Sequence, residues 1–206
     1  MREKIAKFAA RPLAVAYLAA VALWLVAVAV GAVKSGWYAS RGQGGDCSVA
    51  PDQLELVALV EQKPGQGVPE GDWLVSSDGD PQMYWNCGGR YLEQITLEME
   101  TLWPTGAVVL YYRLPGQADF SADQMVYAQR VGEHSYLFDL GGVFAEEIRI
   151  DPASQGGVIL RLEGLSCAAP GWRRLIPDWQ QLALLLALPP IAAAAWRLVP
   201  RRRGAD

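Results

Sequence analysis

Tyr91-Leu92-Glu93-Gln94-Ile95-Thr96-Leu97-Glu98-Met99-Glu100-Thr101-Leu102 is the most regular stretch of this chain. Ile95, Leu97 and Met99 alternate with Thr96, Glu98 and Glu100. A period of two sends the apolar set to one face of a strand and the polar set to the other, whereas a helix of period 3.6 would mix them. The stretch predicts a strand with one face in a core and one toward water.

Shorter runs surround it. Leu54, Leu56, Ala58 and Val60 alternate with Glu55, Val57, Leu59 and Glu61. Trp73-Leu74-Val75 and Met83-Tyr84-Trp85 follow, then apolar-rich runs at 108–114, 125–129, 135–140, 148–150 and 158–165. Gly, Pro and Asp punctuate them every ~8–15 residues, the spacing of a β-sandwich or barrel rather than of a βαβ fold. The segment offers no long helical face, and its length of about 120 residues suffices for one packed core. The expected fold is an all-β antiparallel sandwich with Val108, Leu110, Leu137 and Ile159 among its core. Trp73, Trp85, Trp103, Tyr111, Tyr136 and Phe138 are the aromatic core and interface candidates.

Working outward, both ends turn apolar. Residues 12–33 carry no ionisable group but the Tyr17 phenol. As a helix they reach about 33 Å, enough for a hydrocarbon core. The apolar region of a cleaved signal peptide would be shorter, so an uncleaved anchor is expected. Arg2, Lys4, Lys7 and Arg11 precede it, and Lys34, Trp37 and Tyr38 follow as interfacial anchors. A second span is expected at 179–199. Trp179 and Trp196 suit two interfaces, Arg197 can snorkel, and Pro189-Pro190 distorts the middle. Arg201, Arg202 and Arg203 follow it. Basic residues outside both runs predict cytoplasmic termini and an external middle. Arg173 and Arg174, on the external side, weaken that bias and can pair with lipid headgroups. The expected division is a cytoplasmic N-terminus 1–11, spans 12–34 and 179–199, linkers 35–52 and 171–178, an extracytoplasmic sandwich 53–170 and a cytoplasmic tail 200–206.

Residues 35–178 hold 20 Asp/Glu against 9 Lys/Arg. That acidic balance disfavours nucleic acid as a partner. All three cysteines, Cys47, Cys87 and Cys167, lie in this segment, where an oxidising compartment permits a disulfide. With no CxxC spacing and His134 as the only histidine, a zinc site is not expected.

No nucleophile motif accompanies His134, and nothing singles out a carboxylate pair, so no catalytic residue is named and no cofactor is expected. Asp78 and Asp80, with Asp72 nearby, offer oxygen ligands for Ca²⁺, but their spacing is not that of an EF-hand loop and a turn with solvated carboxylates is the favoured reading. Sugar binding needs an exposed ring beside hydrogen-bonding groups. Trp73, Tyr84, Trp85 and Tyr91 next to Asn86 and Arg90 are the candidates, with Tyr84 and Trp85 on opposite strand faces.

The order of motifs adds a resemblance. Asp78-Gly79-Asp80-Pro81-Gln82-Met83 opens a strand, Tyr111-Tyr112-Arg113 lies on a central one, and Phe120-Ser121-Ala122-Asp123 follows. Tyr136-Leu137-Phe138-Asp139-Leu140 leads to Ile148-Arg149-Ile150-Asp151-Pro152, and a last strand begins after Gly156-Gly157. Over roughly 53–166 this resembles the galactose-binding-like jelly-roll modules, of carbohydrate-binding-module type, on bacterial membrane proteins of surface-polysaccharide synthesis. The resemblance implies a two-sheet jelly roll, a bacterial inner-membrane location and a place in envelope glycan assembly. It transfers no sugar site. The span 1–206 holds no glycosyltransferase or polytopic domain, so the implied catalytic partner is a separate integral membrane protein. An accessory or scaffolding subunit is therefore expected, with a tethered carbohydrate-binding or sensing module as the rival and an envelope enzyme behind both. In such a jelly roll the two chain ends come together, which favours a Cys47–Cys167 bridge over pairs with Cys87.

Overall fold

The computed structural model describes residues 12–65 and 67–198. Arg2, Lys4, Lys7, Arg11 and Arg201 to Arg203, which set the expected orientation, lie outside them, as does the Arg197 side chain. The described residues form two units, 12–34 with 171–198, and Ser35–Pro170.

The second unit is built on ten strands. They are β1 (Cys47–Val49), β2 (Glu55–Val57), β3 (Leu59–Gln62), β4 (Trp73–Ser76), β5 (Gln82–Thr101), β6 (Val109–Arg113), β7 (Met125–Tyr127), β8 (Gln129–Arg130), β9 (Ser135–Asp151) and β10 (Ile159–Ala168). Every pairing is antiparallel, in the order β3-β4-β10-β5-β9-β6-β7, with β1 on β10, β2 on β5 and β8 on β9. The expected all-β sandwich is present.

Its two longest strands, β5 and β9, run side by side through both halves. Their pairing shifts register between Asn86 and Arg90 and again between Leu92 and Gln94. Gly88 and Gly89 in β5, and Gly141 and Gly142 in β9, all have positive φ. Such bulges bend and twist a ladder, and here they curl one continuous sheet over on itself. Ile95, Leu97, Met99, Phe138, Leu160 and Leu162 from one half meet Met83, Leu110, Ile148 and Ile150 from the other in a single core cluster. Ile95, Leu97 and Met99 are fully buried, as their alternation with Thr96, Glu98 and Glu100 predicts, at about 1.5–3 kcal/mol each.

Three expectations are corrected. The alternation across 54–61 breaks at Ala58, which has φ +55 and separates β2 from β3. A left-handed residue turns the strand, so Leu59 is buried and Val60 exposed, the reverse of an unbroken pattern. Ile159 is only half-buried, because Val158, Leu160 and Leu162 take the inward positions of β10. Tyr111-Tyr112-Arg113 lies on β6, one strand from the sheet edge, while β5 and β9 hold the centre. Of the aromatic candidates, Trp73 and Phe138 are buried, Trp85 and Tyr136 pack partly buried against the core, and Trp103 is exposed.

Cys47 and Cys167 face each other in the β1–β10 register and form the disulfide, with Cα atoms 4.8 Å apart across a sequence separation of 120. Cys87 is free.

The stretch expected as a linker at 35–52 is largely ordered. Helix α1 (Pro12–Ser40) continues to Ser40, and β1 follows. Tyr38, expected as an interfacial anchor, has protein contacts of its own. Its ring packs 4.7 Å from that of Tyr91 and 4.8 Å from that of Phe144. The Ser35 hydroxyl donates to Glu93 at 2.5 Å, and the Tyr91 amide donates to the Gln43 carbonyl at 2.7 Å.

In the first unit, α1 and α2 (Trp179–Leu198) are both long and apolar enough to cross a membrane. Asp178 caps α2, its Oδ1 accepting from the Gln181 amide at 2.7 Å. Pro190 has no amide hydrogen for the Leu186 carbonyl four residues back. The Tyr17 hydroxyl donates to that carbonyl at 3.3 Å, and Trp24 Nε1 donates to Gln181 Oε1 at 3.3 Å.

Candidate functional site on the outer face of the second half-sheet

The odd–even pattern of β5, β9 and β6 decides what the half-sheet 82–86, 147–151 and 109–113 shows to solvent. Met83, Ile148, Ile150 and Leu110 point inward and are buried. Their neighbours point outward and fall into cross-strand rows. One row reads Glu55, Tyr84, Arg149, Tyr111 and Met125, each opposite the next. A second reads Asn86, Glu147 and Arg113. Along a third side, Asp151 faces Val109, which faces the exposed Tyr127.

Arg149 organises the first row. Its Nε and one terminal nitrogen donate to the two Asp151 carboxylate oxygens at 2.8 and 2.7 Å, a fork geometry. The guanidinium carbon lies 4.8 Å from the centre of the Tyr111 ring, and Asp80 Oδ1 is 4.0 Å from the same terminal nitrogen. The hydrogen bond to Asp151 leads in holding the Arg149 pKa above its ordinary value, against partial desolvation. The Tyr84 hydroxyl donates to Gln82 Oε1, and Gln82 Nε2 donates to Asp80 Oδ2 at 2.5 Å. Phe120, from the loop after β6, brings its ring within 6.0 Å of Tyr84. In the second row Arg113 bonds Glu147 at 2.9 Å. The result is a face of half-buried aromatic rings framed by amide, carboxylate and guanidinium arms whose own partners orient them. Such a face can stack on a flat, weakly polar surface and trade hydrogen bonds at its rim.

The structure separates the residues named from sequence. Tyr84 stands on this face and Trp85 on the inner one, against the core. Asn86 is exposed on the second row, where its Oδ1 also accepts from the Gly88 amide at 3.0 Å and supports the bulge. Trp73, 1% exposed, belongs to another part of the sheet, under the Arg161 guanidinium at 5.3 Å, so its ring offers no platform. Tyr91, 4% exposed, lies between Tyr38 and Phe144. Arg90 donates to the Gly44 and Asp46 carbonyls at 3.3 and 3.4 Å and ties down the incoming chain. Asp78 Oδ1 accepts from the Asp80 amide at 2.9 Å in a local turn. Among the described residues no group of three or more His, Cys, Asp or Glu is placed to hold a metal. His134 is half-buried before β9, its carbonyl accepting from the Met99 amide at 2.8 Å.

Sequence reading missed Tyr111, Phe120, Arg149 and Asp151 as a group. Arg149-Ile150-Asp151 is a legible signal of two polar residues on one strand face. The strand opposite it depends on register across more than 35 residues, which local pattern does not supply.

No protein-family model matches the chain, and no curated protein matches it. Solved structures similar to it include carbohydrate-binding modules. A family 6 module from Clostridium cellulolyticum in complex with xylose is 7% identical with a TM-score of 0.42, over 62% of this chain and 100% of that one. The family 32 module from C. perfringens NanJ in complex with galactose is 15% identical with a TM-score of 0.40, over 59% and 98%. A low-affinity xylan-binding module from Roseburia intestinalis is 12% identical with a TM-score of 0.35, over 59% and 93%. These are likenesses of fold, and the fold of this chain stands on its own strand pairings.

Proposed function

We propose that this chain is a non-catalytic, two-pass membrane protein that presents a saccharide-binding face outside the cytoplasm, as an accessory subunit of a separate membrane enzyme or transporter in envelope glycan assembly. The carrying observation is the aromatic row Tyr84–Arg149–Tyr111 with Phe120 beside it. A pyranose has a flat C–H face and a rim of hydroxyls, and this surface offers rings for the one and Gln82, Asp80 and Asp151 for the other. The two apolar helices flanking the domain, the basic residues beyond them and the disulfide support an extracytoplasmic placement. The termini are then cytoplasmic and the membrane is the bacterial inner membrane.

The test uses the full chain in nanodiscs, since sugar detergents would compete for the face. Retention of a defined set of glycans on an array supports the reading, and retention of none rejects it. Gentle extraction from the native membrane tests the accessory role: a stoichiometric membrane partner supports it, and a chain that elutes alone argues for an autonomous module.

A further inference from the structure

We propose that the segment from Gly171 to Trp179 is a lipid-interface segment, seated in the headgroup layer of the extracytoplasmic leaflet, where Arg173 takes the phosphate of an anionic phospholipid. This rests on the two-pass reading above.

Gly171–Leu175 is a tight 3-10 turn ahead of α2. Within eight residues Trp172, Leu175, Ile176 and Trp179 are 70%, 59%, 55% and 80% exposed. So much apolar surface in water carries a hydrophobic cost that the headgroup–acyl boundary removes. Two of the four are tryptophans, whose amphipathic rings suit that depth. The start of the helix sets the depth. Asp178 caps α2, so regular helix begins at Trp179, and Pro177 keeps the preceding turn out of it.

The charges point the same way. Arg173-Arg174 is the one adjacent pair of cations in the acidic stretch 35–178. Arg174 lies against α1, its guanidinium 3.2 Å from where a Cβ on Gly31 would sit. The Arg173 side chain is exposed and has no hydrogen bond or ion pair among the described residues. A cation in the same short turn as Trp172 and Leu175 suits a phosphate bordered by acyl chains. Continuity with α2 makes the bilayer, rather than a protein partner, the occupant.

The test labels the full chain with fluorotryptophan and reads fluorine NMR spectra in phosphatidylcholine nanodiscs. The Trp172 signal is assigned by its loss in Trp172→Phe, and the Trp24 signal by its loss in Trp24→Phe. A lipid nitroxide placed near the glycerol should broaden Trp172, whatever a water-soluble gadolinium chelate does to it. Adding phosphatidylglycerol should shift the Trp172 resonance, and Arg173→Gln should abolish that shift. A Trp172 signal broadened from water and untouched by the lipid nitroxide overturns the proposal, as does a phosphatidylglycerol shift that is absent or survives Arg173→Gln. Trp24, within α1, separates the two failures. If a nitroxide deep in the acyl chains leaves Trp24 sharp, the spanning reading fails and takes the proposal with it. If Trp24 broadens and Trp172 does not, the proposal alone fails.

Discussion

Gly142 shows how one residue holds the bend of the sheet. Its φ is +90, and a Cβ there would come within 2.9 Å of the Tyr91 ring carbon Cζ. That ring is packed between Tyr38 and Phe144 and has no free direction to yield. Gly142→Ala should therefore destabilise the domain by about 2–4 kcal/mol, strain and overpacking combined, in denaturant unfolding followed by circular dichroism. A loss below ~0.5 kcal/mol would mean that the Tyr38–Tyr91–Phe144 cluster repacks freely. Cys87 makes a prediction of a different kind. Burial pushes its thiol up from the ordinary value near 9 to about 12, aided by Glu147 and Glu146 and opposed by a backbone hydrogen bond and Arg90. The folded pKa is raised, so this group's contribution to stability is fully present below pH 9 and is lost as pH rises from about 9 toward about 12. Cys87→Ala should flatten that part of the stability–pH curve, whatever it does to stability at neutral pH. An unchanged alkaline slope would contradict the assignment.

At the scale of elements, the helix pair is knit by a hydrogen bond that proline makes necessary. Tyr17 serves the carbonyl of Leu186 that Pro190 leaves without a donor. Tyr17→Phe should weaken the pairing of α1 and α2 by about 0.5–2 kcal/mol in a membrane-association assay, and by much less when Pro190→Ala restores the amide. Equal losses in both backgrounds would detach the effect from the proline. Which elements could be read from sequence follows from range. Ile95, Leu97 and Met99 announce the second half of β5 because alternation is local, and Cys47 and Cys167 pair because the first and last strands of the domain lie side by side. The bend in β5 was less legible. Gly88-Gly89 marks a break, but a glycine pair reads equally as a turn between two strands, so Met83-Tyr84-Trp85 and residues 91–102 read as separate runs. Ala58 carries no warning, since alanine is an uncommon choice at positive φ, and the inversion of Leu59 and Val60 follows from it. Trp73 and Tyr91 look like sugar platforms by type, and only packing shows their rings covered.

On the scale of the whole molecule, the sandwich includes the end of α1. Ser35, Tyr38, Gln43 and Gly44 all touch Arg90, Tyr91 or Glu93. A fragment 35–170 should therefore unfold at higher denaturant than a fragment 45–170, by about 1–3 kcal/mol, since the Tyr38 ring contacts alone amount to about 0.5–1.5 kcal/mol each. Equal midpoints would make the segment 35–44 a passive tether. The disulfide closes the same corner. By the chain-entropy estimate a loop of ~120 residues is stabilised by about 4–5 kcal/mol, a cross-link suited to a domain held at both ends between apolar helices. The outer face of β5, β9 and β6 brings half-buried rings and oriented polar arms together, and the functional reading depends on it. Its most direct test is the affinity of the full chain in nanodiscs for a glycan retained on the array, compared with Tyr111→Ala and with Trp103→Ala, an exposed tryptophan outside these three strands, as the control. Tyr111→Ala should lose about 2 kcal/mol of binding, roughly thirtyfold in Kd, with the strand signature of its circular dichroism kept at the assay temperature and with the control binding as the parent does. Full affinity in Tyr111→Ala, or a loss shared equally by the control, would contradict a saccharide site on this face.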